Sequence, residues 1–160
     1  MNRRLVIMRH AHSSRDDPSV IDHDRPLDER GLRDSPRVAK EILRRGWKPD
    51  HIFVSSSLRT IQTLENLGPE LSETPNSVEG RLYHASLETL LSVAGSIPEN
   101  TTQMIISHNP GCEMLLEKLS GELEIMPTAS VALMMESNGR WQLLDLIRPK
   151  KSRIKPLQRN

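Results

Sequence analysis

The chain has 160 residues, 36% of them apolar and only four aromatic, with 22 Lys and Arg against 21 Asp and Glu. That length suits one domain with a single sizeable core, filled here by Leu, Ile, Val and Met. A net charge of +1 gives no bulk reason to bind nucleic acid, the single cysteine excludes an internal disulfide, and the N-terminal apolar run is too short for a signal-peptide core or a membrane span. The expectation is a soluble, cytoplasmic, single-domain protein with no nucleic-acid or membrane partner.

Apolar runs and helical patterns alternate along the chain. "RLVIM" (4–8) reads as a buried strand, and residues 10–27, rich in Asp, Ser, Pro and Arg, as a long loop. Asp28 is a natural N-cap for a helix that places Leu32, Val38, Ala39, Ile42 and Leu43 on one face and closes at Gly46, with Pro36 an irregularity inside it. "HIFVS" (51–55) is a second strand, followed by a helix over roughly 57–71 and a turn-rich stretch over 72–80. Residues 86–97 read as a helix, 102–107 as a third buried strand, and 110–121 as a helix opening on Pro110. Two further strands, 130–136 and 140–146, flank Ser137-Asn138-Gly139, a strong hairpin signal. The alternation predicts an α/β fold: a mostly parallel sheet with helices on both faces and an antiparallel C-terminal hairpin at its edge. The domain is expected over 1–147, with a basic tail over 148–160 that has no acidic residue.

In open α/β sheets, ligands sit beyond the carboxyl ends of the strands. The first strand ends in Arg9-His10, the second leads through "SSSLRT" to Arg59, and the third ends in "SHNPG", with His108 just before a helix N-terminus. Planar, permanently charged arginines and free helix N–H groups suit phosphate oxygens. A neutral imidazole at His10 is able to attack phosphorus, with the arginines and His108 neutralising the charge that spreads in the reaction. As zinc ligands, His10, His12 and His23 lack any supporting Cys or carboxylate spacing. His12 and His23 read as solvated loop residues, and Cys112 as a small buried one.

Four segments together, "MRHAHSSRDDPSVIDHDRPLDERGLRDSPRVAKEI", "FVSSSLRTIQT", "RLYHASLETLL" and "IISHNPG", resemble the histidine phosphatase superfamily and, within it, the SixA-like phosphohistidine phosphatases. The resemblance reaches to about residue 147. It implies a three-layer, phosphoglycerate mutase-like fold and a phosphatase with no metal or organic cofactor, working through a phosphohistidine intermediate on His10. Arg9, Arg59 and His108 would clamp the phosphoryl group, and Arg25, in "DRPL", resembles the further phosphate-contacting arginine of the SixA branch. Two departures stand out. Ala11 replaces the glycine usual after the Arg-His pair, which questions any backbone conformation there that needs glycine. His84 stands roughly where other members carry a carboxylic general acid, so proton donor, substrate contact and exposed loop residue are all open for it. Loss of that acid is tolerable for the easily broken P–N bond of a phosphohistidine. The expected substrate is therefore a phosphohistidine-bearing protein, with a small phosphomonoester or a non-catalytic phosphate-binding module as the alternatives.

Overall fold

The structure is a computed structural model that describes residues 2–149. Of the basic tail expected over 148–160, all but Arg148 and Pro149 lie outside the described residues. The elements are β1 (Asn2–Arg9), α1 (Glu29–Arg44), β2 (His51–Ser55), α2 (Leu58–Glu65), α3 (Pro69–Ser72), β3 (Asn76–Glu79), α4 (Leu87–Gly95), β4 (Thr102–Ser107), α5 (Gly111–Ser120), β5 (Val131–Ser137) and β6 (Arg140–Ile147). They build one six-stranded sheet in the order β3-β2-β4-β1-β5-β6. β1 to β4 pair in parallel, whereas β5 lies antiparallel to β1 and β6 antiparallel to β5, turning through Asn138 and Gly139.

Both faces of the sheet are covered, which is why β1 and β4 read as continuous apolar runs. Along β1, Val6 and Met8 join one core with Val38, Ile42 and Leu71, on the side of α1, α2 and α3. Leu5 and Ile7 join the other with Leu90, Val93 and Leu115, on the side of α4 and α5. All four β1 side chains are fully buried, each contributing about 1.5–3 kcal/mol of transfer free energy. The strand end beside them is thus anchored by both cores. Among the described residues, no helix is long and apolar enough to cross a membrane.

Four local expectations need correction. The helix expected over 57–71 is two, because Pro69 cannot continue an upstream helix and Gly68, at φ +94°, turns the chain between them. The stretch expected as turns over 72–80 contains edge strand β3, parallel to β2; its polar sequence reflects its exposed position. Leu32 is 47% exposed, and Gly31, Asp34 and Ser35 take the inner face of that part of α1 instead. Pro110 is the N-cap residue of α5, not its first helical residue, and follows a cis peptide bond from Asn109. Asp28 does cap α1, accepting from the Gly31 N–H, and the helix continues through Pro36.

Candidate active site

The carboxyl ends of β1, β2 and β4 open into a pocket of about 700 Å³ whose wall includes Arg9, His10, Arg25, Arg59, His84 and His108. Every residue singled out from the sequence as a site candidate is brought to this one place.

His10 is the most constrained of them. Its backbone N–H donates to Ser107 O at 3.0 Å, and its carbonyl accepts from Ala129 N at 2.9 Å, so it is stitched to the end of β4 and to the segment leading into β5. Its Nδ1 lies 2.7 Å from Ala11 O. A carbonyl accepts but never donates, so Nδ1 carries the hydrogen and the Nε2 lone pair is free. Burial pushes the His10 pKa down to about 3, opposed by the Ala11 hydrogen bond and reinforced by the charges of His108, Arg59 and Arg9. The ring is therefore neutral at physiological pH. Ala11 follows with ordinary backbone angles, fully buried, its N–H donating to Thr63 Oγ1 at 3.0 Å. No glycine is required there, and the methyl group fills core space.

His108 sits just beyond β4 with its ring centroid 5.3 Å from that of His10. Its Nε2 lies 2.8 Å from Ser55 Oγ at the end of β2, and its Nδ1 is 3.5 Å from Arg59 Nη2. Burial, followed by the charge of Arg59, lowers its pKa to about 4.

The three arginines arrive from three places. Arg9 ends β1 and donates through Nη1 to Met126 O at 3.1 Å. Arg59 lies in the first turn of α2, where Ser57 caps the helix. Arg25 leans in from the long loop, its Nη1 donating to Ser13 Oγ at 2.7 Å and Ser14 O at 3.1 Å. Both Arg9 and Arg59 carry a buried Nε–H with no acceptor among the described residues. Such an unmet donor costs about 1–3 kcal/mol until an oxygen is supplied. His84 holds a positive φ of 56°, and its ring centroid is 4.0 Å from that of Tyr83.

Two acidic residues escaped the sequence reading. Asp22, in a short 3-10 turn of the loop, accepts from Arg25 Nε at 3.1 Å, Arg59 Nη2 at 3.1 Å and the Tyr83 hydroxyl at 2.6 Å. The Tyr83 hydrogen bond first, then those of the two arginines, hold its carboxyl well below the usual carboxylate range. Its i,i+3 spacing to Arg25 was the one local signal. Glu113 Oε2 accepts from Asn109 Nδ2 at 3.0 Å and Met126 N at 2.7 Å, which fixes the loop whose carbonyl holds Arg9. The spacing Asn109-to-Glu113 across one turn of α5 was its signal.

His12 and His23, read as solvated, are both engaged: His12 Nδ1 bonds to Asp28 Oδ2 at the pocket wall, and His23 Nε2 is 3.0 Å from Ser56 Oγ. No group of three or more His, Cys, Asp or Glu that could hold a metal ion occurs among the described residues. Cys112 is fully enclosed, and burial pushes its thiol up to about 12, so it is packing and not a reagent.

Residues 5–91 match the family model described as Histidine phosphatase superfamily (branch 1). An uncharacterized chloroplastic protein of Arabidopsis thaliana is 31% identical over 156 residues, covering 89% of this chain and 70% of that protein. An uncharacterized protein of Mycobacterium tuberculosis is 30% identical over 146 residues, 84% of this chain and 89% of its own length. Among solved structures, a candidate phosphohistidine phosphatase SixA from Agrobacterium tumefaciens superimposes with a TM-score of 0.83 at 29% identity, over 91% of this chain and 97% of that one.

Proposed function

Since the chain belongs to the histidine phosphatase superfamily, branch 1, we propose that it is a phosphatase using His10 as nucleophile and protein-borne phosphohistidine as substrate. The observation that carries this reading is the His10 ring itself: neutral, its Nδ1–H spent on the Ala11 carbonyl, its Nε2 left to react among three arginines.

The reaction proceeds in two displacements. Nε2 of His10 attacks phosphorus while the bond from phosphorus to the leaving nitrogen breaks, and that nitrogen keeps the electron pair and takes up a proton. Water then attacks phospho-His10, the P–Nε2 bond breaks, and inorganic phosphate leaves. Arg9, Arg25 and Arg59 supply fixed positive charge where the equatorial oxygens become more negative. His108, its pKa lowered by burial and Arg59, gains a proton more readily once a dianion lies beside it and then acts as a further donor. Asp22 is held ionised and has no proton to give at neutral pH. We assign the leaving-group contact to His84, on the pocket wall beside Tyr83.

The SixA-named neighbour supports the phosphohistidine substrate class, as does Asp22, held ionised in the pocket, because the easily broken P–N bond places less demand on a general acid than a P–O bond does. A small phosphomonoester is the second reading, since a pocket of about 700 Å³ also suits a small ligand. The two are separated by comparing a phosphohistidine protein with a panel of small phosphomonoesters, in EDTA. Preference for the phosphohistidine protein by a factor of about 100 or more in kcat/KM supports the first; the reverse preference overturns it.

A further inference from the structure

Asp22 has no task in the reaction just described, yet it is the best-connected acid in the pocket. Its Oδ1 accepts from Arg25 Nε, its Oδ2 from Arg59 Nη2 and the Tyr83 hydroxyl, and its main-chain carbonyl from Arg59 Nη1 at 2.7 Å. One residue thus ties the long loop to the first turn of α2 and to the segment before α4. Its side chain is 43% exposed, so these ion pairs contribute little to holding the fold. What they do is fix geometry. With Nε of Arg25 on Asp22 and Nη1 on Ser13 and Ser14, Nη2 of Arg25 is the part of the fork left without a partner among the described residues. Arg59, held at both Nη atoms, keeps its Nε–H unmet. Each arginine is pinned by some of its donors and presents the others.

Charge points the same way. Arg9, Arg25 and Arg59 bring three positive charges, one more than a phosphate dianion needs. Other acids line the pocket, but Asp28 is committed to His12 and to capping α1, and Asp16 touches none of the three arginines. Asp22 is the carboxylate placed among them.

We propose that Asp22 is a positioning residue that sets Arg25 and Arg59 for the transition state and, by offsetting one positive charge, keeps inorganic phosphate from being held too tightly. The inference rests on the phosphatase reading above, and its test is arranged so that either can fail alone. Binding of inorganic phosphate, and of vanadate as a mimic of five-coordinate phosphorus, is measured by calorimetry for the wild type, Asp22→Asn and Asp22→Glu. Removing one negative charge a few ångströms from a dianion is expected to tighten phosphate about tenfold in Asp22→Asn. Loss of the pinned geometry is expected to lower the preference for vanadate over phosphate by about tenfold or more in the same variant. Asp22→Glu keeps the charge, so its phosphate affinity should stay within about twofold of wild type, which also controls for folding. A role confined to folding would weaken both ligands together. Phosphate that does not tighten, or an unchanged vanadate-to-phosphate ratio in Asp22→Asn, overturns the inference. Turnover by the wild type of a phosphohistidine protein and of the phosphomonoester panel, read in parallel, decides the phosphatase reading separately: absence of turnover on both sinks that reading while the two binding results still judge Asp22.

Discussion

One wall of the pocket is made from the ends of buried strands, the other from a loop fastened at a few points, and the two hold their side chains by different physics. Arg9, His10 and His108 stand where the backbone is already locked by the β1, β4 and β5 ladders and by two cores. Their orientation follows from the packing of the sheet. Residues 12–27 have no such scaffold; a single bridge between Ser13 and Leu27, the approach of His12 to α1 and the contacts of Asp22, His23 and Arg25 set their course. In the proposed reaction the scaffold wall places the nucleophile, His10, and the loop wall adjusts the charge around it. Reagents that must be held to a few tenths of an ångström come from strands, and groups that tune binding come from the loop.

The largest effect short of removing the proposed nucleophile is expected at Arg59, which the first turn of α2, next to the end of β2, adds to the scaffold side. Arg59→Lys keeps the charge but loses the planar fork, and kcat/KM should fall by about 100-fold. A steady-state assay within fivefold of wild type would remove Arg59 from the clamp. Arg25→Ala, on the loop side, should cost about tenfold, mostly in KM, because its neighbours on the scaffold remain in place. If the loss at Arg25 equals or exceeds that at Arg59, the division of labour between the walls is wrong.

Gly31 is where the two walls meet. A Cβ there would sit 2.2 Å from the His12 carbonyl oxygen, a backbone atom that cannot step aside cheaply. Gly→Ala in a helix ordinarily gains about 1 kcal/mol, so the clash has to exceed that to show. We expect Gly31→Ala to be net destabilising by about 1–2 kcal/mol in thermal or denaturant unfolding. A variant more stable than wild type would mean that the loop moves freely at this point.

The smallest effect is expected from pH. His10 and His108 have native pKa values of about 3 and about 4, below the 6.5 of the unfolded chain. With native values depressed, the proposed nucleophile His10 stays unprotonated through mild acid, and kcat/KM, corrected for the titration of the substrate's own phosphoryl group near about pH 6, should change less than about twofold between pH 7.5 and 5.5. Stability moves differently. The unfolded chain takes up protons below about pH 6.5 that the native pocket refuses until about pH 4 to 3, so both residues lower stability as pH falls through that window. A His10 ring titrating near about 6.5 in the free protein, read by NMR, would show that His10 is not desolvated.

Much of this was legible in the sequence, and unevenly so. The strands at 51–55 and 102–107 end at the predicted residues because runs such as "TQMIIS" are apolar on both faces and bounded by polar residues. Arg9, His10, Arg59 and His108 were legible because strand ends can be counted and ligands gather there. The edge strand β3 was not, since "NSVE" is nearly all polar and its pairing with β2 is a tertiary fact. Nor was Asp22: four acids lie close together at Asp16, Asp17, Asp22 and Asp24, and only the folded loop shows which one meets Arg59, 37 positions away. Positions held by local pattern were readable, and positions held by long-range polar contacts were not.

The most direct test of His10 as nucleophile is a rapid-quench experiment with a phosphorus-labelled phosphohistidine protein in EDTA, comparing wild type with His10→Ala. Acid-labile, base-stable label on the wild-type chain, mapped to the peptide containing His10 and absent from His10→Ala with turnover reduced by about 10⁴-fold, is the predicted result. Undiminished turnover by His10→Ala, or label at another residue, would contradict it.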